Sequence, residues 1–100
     1  MASDVEAILK RIEAGPGVIG MLVVDEQGKV IRTTMDRQAT QLYASEFCHL
    51  GEYAYHVVRD LDPQNDLQVL RIKTNDHEVF MAPDKGYTLV VVQANQALQS

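Results

Sequence analysis

The sequence predicts one domain of mixed class, an α/β (α+β) sandwich with elements in the order α-β-β-α-β-β-β. Its five strands should form an antiparallel sheet in the order 2-1-5-4-3, with helices on both faces. Three observations carry this. Two short runs, Val18 to Val24 and Tyr87 to Val92, are apolar on both faces and too brief for helices. One long stretch from Asp36 to about Asp60 keeps a helical period. The remaining β-branched segments are separated by turn residues only. At 100 residues and 46% hydrophobic content, the chain suits a single core that buries roughly 60–70% of the unfolded surface.

The first helix is expected from Val5, Ile8, Leu9 and Ile12, which recur at i, i+3, i+4 and i+7. Ser3-Asp4-Val5-Glu6 ahead of them has capping-box spacing. Gly15-Pro16-Gly17 stops the helix. Strand 1 then runs from Val18 to Val24, Asp25-Glu26-Gln27-Gly28 turns with Gly28 suited to positive φ, and Val30 to Thr34 returns as a hairpin arm. Asp36 is the expected N-cap of the long helix. Along that helix Ala39, Tyr43, Phe47, Leu50, Ala54, Val57, Val58 and Leu61 fall on one apolar arc. A second stripe, Ala44, Cys48, Gly51 and Tyr55, lies about 110° round and is mostly small. A glycine inside a helix costs about 1 kcal/mol against alanine, so close approach of another helix is expected at Gly51.

Asp62-Pro63-Gln64-Asn65-Asp66 reads as a loop, and Leu67 to Thr74 as an alternating strand. Leu70 and Ile72 fall on one face, with Val69, Arg71 and Lys73 on the other. Asn75-Asp76 should turn the chain into strand 4, His77 to Ala82, and Pro83-Asp84-Lys85-Gly86 into strand 5. A polar tail begins near residue 94. Strands 1 and 5, apolar on both sides, belong in the interior. Strands 2 and 3 become edges, and an open edge is a pairing hazard unless it is used.

Composition excludes several classes of function. The formal net charge is −5 and the cations are scattered, which fits neither a nucleic-acid nor an anionic membrane surface. Cys48 is the single cysteine, so no intrachain disulfide can form and a reducing compartment is expected. The start Met-Ala-Ser-Asp has no apolar core of a secretory signal and no glycine for myristoylation. A soluble cytoplasmic protein is the expectation.

No catalytic constellation is found. His49, Glu52 and His56 share a broad helix face, yet the two histidines lie about 10 Å apart along the axis, too far to chelate one metal ion unaided. Cys48 and His49, adjacent on a helix, point about 100° apart. Asp60, Asp62 and Asp66 fail the calcium-loop pattern, with Asn65 where glycine belongs and Arg71 where glutamate belongs. These acids should instead cap the helix and shape the turn. No phosphate loop, nucleophile elbow or dinucleotide fingerprint occurs. Neither enzymatic activity nor a cofactor is expected.

The run Val58-Arg59-Asp60-Leu61-Asp62-Pro63-Gln64-Asn65-Asp66-Leu67 resembles the signature loop of the roadblock dynein light chains. Leu70-Arg71-Ile72, Ala82-Pro83-Asp84-Lys85, Thr33-Thr34-Met35-Asp36, Gln41-Leu42-Tyr43-Ala44-Ser45 and Gly17-Val18-Ile19-Gly20 follow the same resemblance in order, over about residues 4 to 93. Phe47 to Glu52 and the tail Ala94 to Ser100 depart from it. The resemblance implies a roadblock/longin-like fold and a homodimer in which edge strands and long helices meet across a two-fold axis. It also implies attachment to a dynein intermediate chain in a cytoplasmic or axonemal motor. Candidate dimer residues are then Ala44, Cys48, Gly51 and Tyr55 on the helix, and Val69, Arg71 and Lys73 on the edge strand. The family's signature loop maps to Asp60, Asp62, Pro63, Gln64, Asn65 and Asp66. Roadblock-like domains that scaffold or regulate small GTPases are the competing class.

Overall fold

The computed structural model describes residues 2–84 and 86–95, with side chains from Glu6 to Pro83 and from Gly86 to Asn95. The expected roles of Lys85 and of the tail from Gln96 lie outside the described residues, as do the side chains of Ser3 and Val5. Elements follow as α1 (Ala2–Glu13), β1 (Val18–Asp25), β2 (Val30–Thr33), α2 (Arg37–Leu61), β3 (Leu70–Lys73), β4 (His77–Asp84) and β5 (Tyr87–Ala94). All pairings are antiparallel and the sheet order is β2-β1-β5-β4-β3, as the sequence predicts.

The two apolar strands sit side by side at the centre, with Met21 opposite Val91 and Leu22 opposite Val90. Successive side chains alternate across the sheet, so two cores form. Leu22, Val24, Val79, Met81, Val90 and Val92 pack with Ala44 of α2 on one face. Met21 and Val91 pack with Leu9 of α1 on the other.

Asp36 caps α2 as expected, its carboxylate accepting from the Ala39 N–H at 2.8 Å. Gly28 closes the first hairpin at φ 83°, where a side chain would be strained. Beside it the Asp25 carboxylate accepts from the N–H groups of Gln27 and Lys29.

Four local expectations change. Helix α1 already includes Ala2 and Ser3, and the Glu6 carboxylate pairs with Arg32 of β2 instead of closing a capping box. Strand β3 is four residues long, not eight. Residues 67–69 extend the preceding loop, because only Leu70 to Lys73 find partners on β4. Pro83, expected in a turn, belongs to β4 opposite Thr88, so that hairpin is tighter than the sequence suggests. Val23 and Val24 flank a break in the β1–β2 register, which bends the short edge strand.

Candidate interaction surfaces

The small-residue stripe of α2 turns inward. Ala44 and Gly51 are buried against their own sheet, and a Cβ on Gly51 would stand 2.2 Å from Cε of Met81. Packing at Gly51 is close, but the expected helix–helix contact is corrected: the neighbour is a strand, β4 of the same chain. Ala44 and Gly51 are therefore unavailable to a second copy. Cys48 and Tyr55 flank this contact and line a cleft of about 890 Å³. Its walls include Asp25, Glu26 and Gly28 of the first hairpin and His49 and Glu52 of α2. Burial, and then the carboxylates of Asp25 and Glu52, push the Cys48 thiol above its ordinary pKa. That is the opposite of what a nucleophilic cysteine needs. His49 bonds through Nδ1 to the carbonyl of Ser45, one turn back along the helix, at 2.9 Å.

The apolar arc divides. Its N-terminal part, with Tyr43 and Phe47 stacked at 5.8 Å, packs against the core. Farther along the helix Leu50, Tyr53, Val57 and Leu61 stand exposed at spacings of three, four and four. Tyr53 is 70% and Leu61 82% exposed. A helix with polar residues all round would have no reason to carry this flank.

The β3 candidates lie on the other side of the sheet. Leu70 joins the α2-side core, so Arg71 and Lys73 face the α1 side by alternation. There Arg71 spreads its guanidinium over Phe80, 4.6 Å from the ring centroid, and pairs with Glu78 at 3.0 Å. Val69 is exposed just before the strand. The seven candidate interface residues are thus not one patch. Beyond them, β3 is an outer strand of the sheet with one flank unpaired.

The signature loop organises itself. The Asp62 N–H bonds to the Val58 carbonyl and ends the helix. The Asp62 carboxylate accepts from Gln64 N–H, and the Asp62 carbonyl accepts from Asn65 N–H. Asn65 in turn accepts from Asp66 N–H through its side chain. Arg59 then clasps the loop, donating to the Asn65 carbonyl at 3.2 Å and to the Asp66 carboxylate at 2.9 Å, above the Tyr55 ring. The acids shape the turn, as expected. Arg59, which holds the far end, was hidden in the sequence as an ordinary last-turn cation.

The family model of the Roadblock/LC7 domain matches residues 4–94. The chain belongs to this family. Two solved structures share the fold. One is the Roadblock/LC7 domain from Streptomyces avermitilis, at TM-score 0.78 and 13% identity, covering 90% of this chain and 79% of that one. The other is MglB of Myxococcus xanthus, at TM-score 0.72 and 17% identity, covering 94% and 78%. At such identities the likeness is one of fold. Roadblock domains of this topology thus occur in bacteria, and the fold by itself selects no partner.

Proposed function

We propose that this roadblock domain is a non-catalytic light chain of a dynein motor, acting as a homodimer that holds an intermediate chain in the cytoplasm or axoneme. The observation that carries the reading is the exposed apolar flank of α2, Leu50, Tyr53, Val57 and Leu61. A lone protomer gains nothing by leaving these side chains in water. A two-fold axis would pack that flank against its own copy, and the free edge of β3 against its twin, merging two sheets into one. The resemblance of Asp60 to Asp66 to the light-chain loop supports the dynein partner over other roadblock partners. The self-supporting hydrogen bonds of that loop give it a structural part: it carries the chain from the flank of α2 to the start of β3.

Light scattering of the intact chain at micromolar concentration should give about twice the monomer mass, and Tyr53→Glu with Leu61→Glu should halve it. Titration calorimetry with intermediate-chain fragments should show binding by the dimer and weaker binding by the split variant. A monomeric wild type, or capture of small GTPases with no binding to any intermediate chain, would overturn the reading. In the second case the competing class of GTPase scaffold takes its place.

A further inference from the structure

The sheet is closed unequally. Five strands at about 4.8 Å spacing present a face roughly 20 Å wide, and one packed helix fills about 10 Å of it. On the α1 side, among the described residues, a single short helix lies over β1. Beside it runs an open trough of about 410 Å³. Its floor is Phe80, Ala82, Leu89 and Val91, and its near wall is Ile12 and Val18. The uncovered part of the face, about 10 Å by the same spacings, leaves room for one more helix. Its banks are cationic, although the chain as a whole carries −5. Arg11 lines it from α1. On the opposite bank stand Arg71, lying over Phe80 and paired with Glu78, and Lys73 across from Glu78 on the same side of β3, which leaves that bank one net positive charge.

We infer that this trough is the docking lane for an amphipathic helix of the partner, with apolar residues at i, i+3, i+4 and i+7 flanked by acidic ones. The inference rests on the light-chain reading for the partner's identity and goes beyond it by assigning the face and the chemistry. Apolar side chains supply the burial, since Leu89 and Ala82 are partly exposed and lie where a second helix would pack. Charge selects the partner: acidic residues on the flanks meet Arg11 and Arg71, while a basic helix is repelled. If β3 pairs with its twin, the two Arg71 banks meet at the axis and the two lanes run side by side. One dimer then takes two helices, and linked segments gain from double engagement.

The test uses the intact chain and two probes. One is an intermediate-chain fragment; the other is a designed 18-residue helix, about five turns, with leucines at the stated spacing and glutamates beside them. Backbone and methyl NMR shifts should move at Phe80, Ala82, Leu89 and Val91 and stay still at Ser45, His49 and Glu52. Arg11→Glu combined with Arg71→Gln should weaken both probes about tenfold or more, Glu52→Lys should not, and added salt should erase the difference. Shifts on the α2 side, or indifference to the charge changes, would overturn the assignment. So would shifts at the trough produced by raising protein concentration alone, which would make the occupant a second copy. Binding of the designed helix in the trough without binding of the fragment would uphold the lane and refute the dynein partner. Failure of both probes would refute both.

Discussion

The two faces of this sheet are built from the same strands and finished differently. On the α2 side a helix of 25 residues, about 37 Å long at 1.5 Å per residue, crosses the strands. Leu22, Val24, Val79, Met81, Val90 and Val92 beneath it are all sealed from water. On the α1 side a helix of 12 residues seals Met21 and Val91 and leaves Val23, Phe80, Ala82 and Leu89 half open. The closed face uses its apolar surface for stability, whereas the open face retains apolar surface that a partner can bury. Along α2 the same contrast recurs, with Gly51 pressed on Met81 and the flank of Leu50, Tyr53, Val57 and Leu61 turned to water.

The largest test of this contrast is a pair of truncations. Leu22→Ala, at a side chain fully buried on the closed face, should cost about 3–4 kcal/mol, since a rigid site leaves a cavity. Leu89→Ala on the open face should cost less, about 2 kcal/mol, because that side chain is partly exposed and its site leaves a smaller cavity. Urea unfolding of both variants measures the difference. Equal losses would mean that the open face is closed in solution, by dimerisation or otherwise.

Gly51→Leu comes next. Overpacking costs about 1–3 kcal/mol, offset by nearly 1 kcal/mol of helix propensity, so a net loss of up to about 2 kcal/mol is expected at the Met81 contact. A more stable variant would show that α2 does not press on β4 there.

The fold was legible because each strand announces its place. Runs apolar on both sides must be central, and β2 and β3, with their charges, must be edges. What the sequence could not say was which of two adjacent stripes on α2 faces the sheet. Large apolar residues suggest the core, yet here the small stripe faces inward, since Met81 rises from β4 and needs the space above Gly51. A large residue in the strand, read against a glycine in the helix, was the available signal, but it requires the register between elements far apart in sequence. The open lane beside α1 was hidden for a related reason. Alternation shows that a strand face is apolar without showing how many helices cover it. Of the candidate dimer residues, Arg71 and Lys73 share one face of β3 while Val69 precedes the strand, and that face looks away from α2.

Smaller effects probe the joints that hold the two faces in register. Asn95, buried at the end of β5, donates through Nδ2 to the carbonyls of Thr74, at 3.0 Å, and Asn75, at 3.4 Å. It thereby ties the β3–β4 turn to the central strand. Asn95→Ala should cost about 1 kcal/mol and raise amide exchange at His77, whose N–H bonds to the Thr74 hydroxyl. Loss of stability without faster exchange at the turn would place the effect elsewhere.

The smallest effect concerns Cys48, on the flank of the closed face. Its thiol is raised first by burial and then by Asp25 and Glu52. The thiolate is the reactive form, so iodoacetamide should alkylate Cys48 in the folded chain more slowly than in urea at the same pH. Asp25→Asn and Glu52→Gln should each recover only part of the difference, because burial leads. The sign for stability follows from linkage. A thiol whose folded pKa is raised holds its proton better in the native state. Its contribution is therefore complete below the ordinary thiol range and disappears as pH climbs through the higher folded value. Cys48→Ser, whose hydroxyl does not titrate there, should lack that alkaline decline. Wild type and variant should then converge in their pH dependence below the thiol range and separate above it. Alkylation at equal rates in folded and unfolded chains would show that the α2 flank opens freely at Cys48, and the closed face would end short of Gly51.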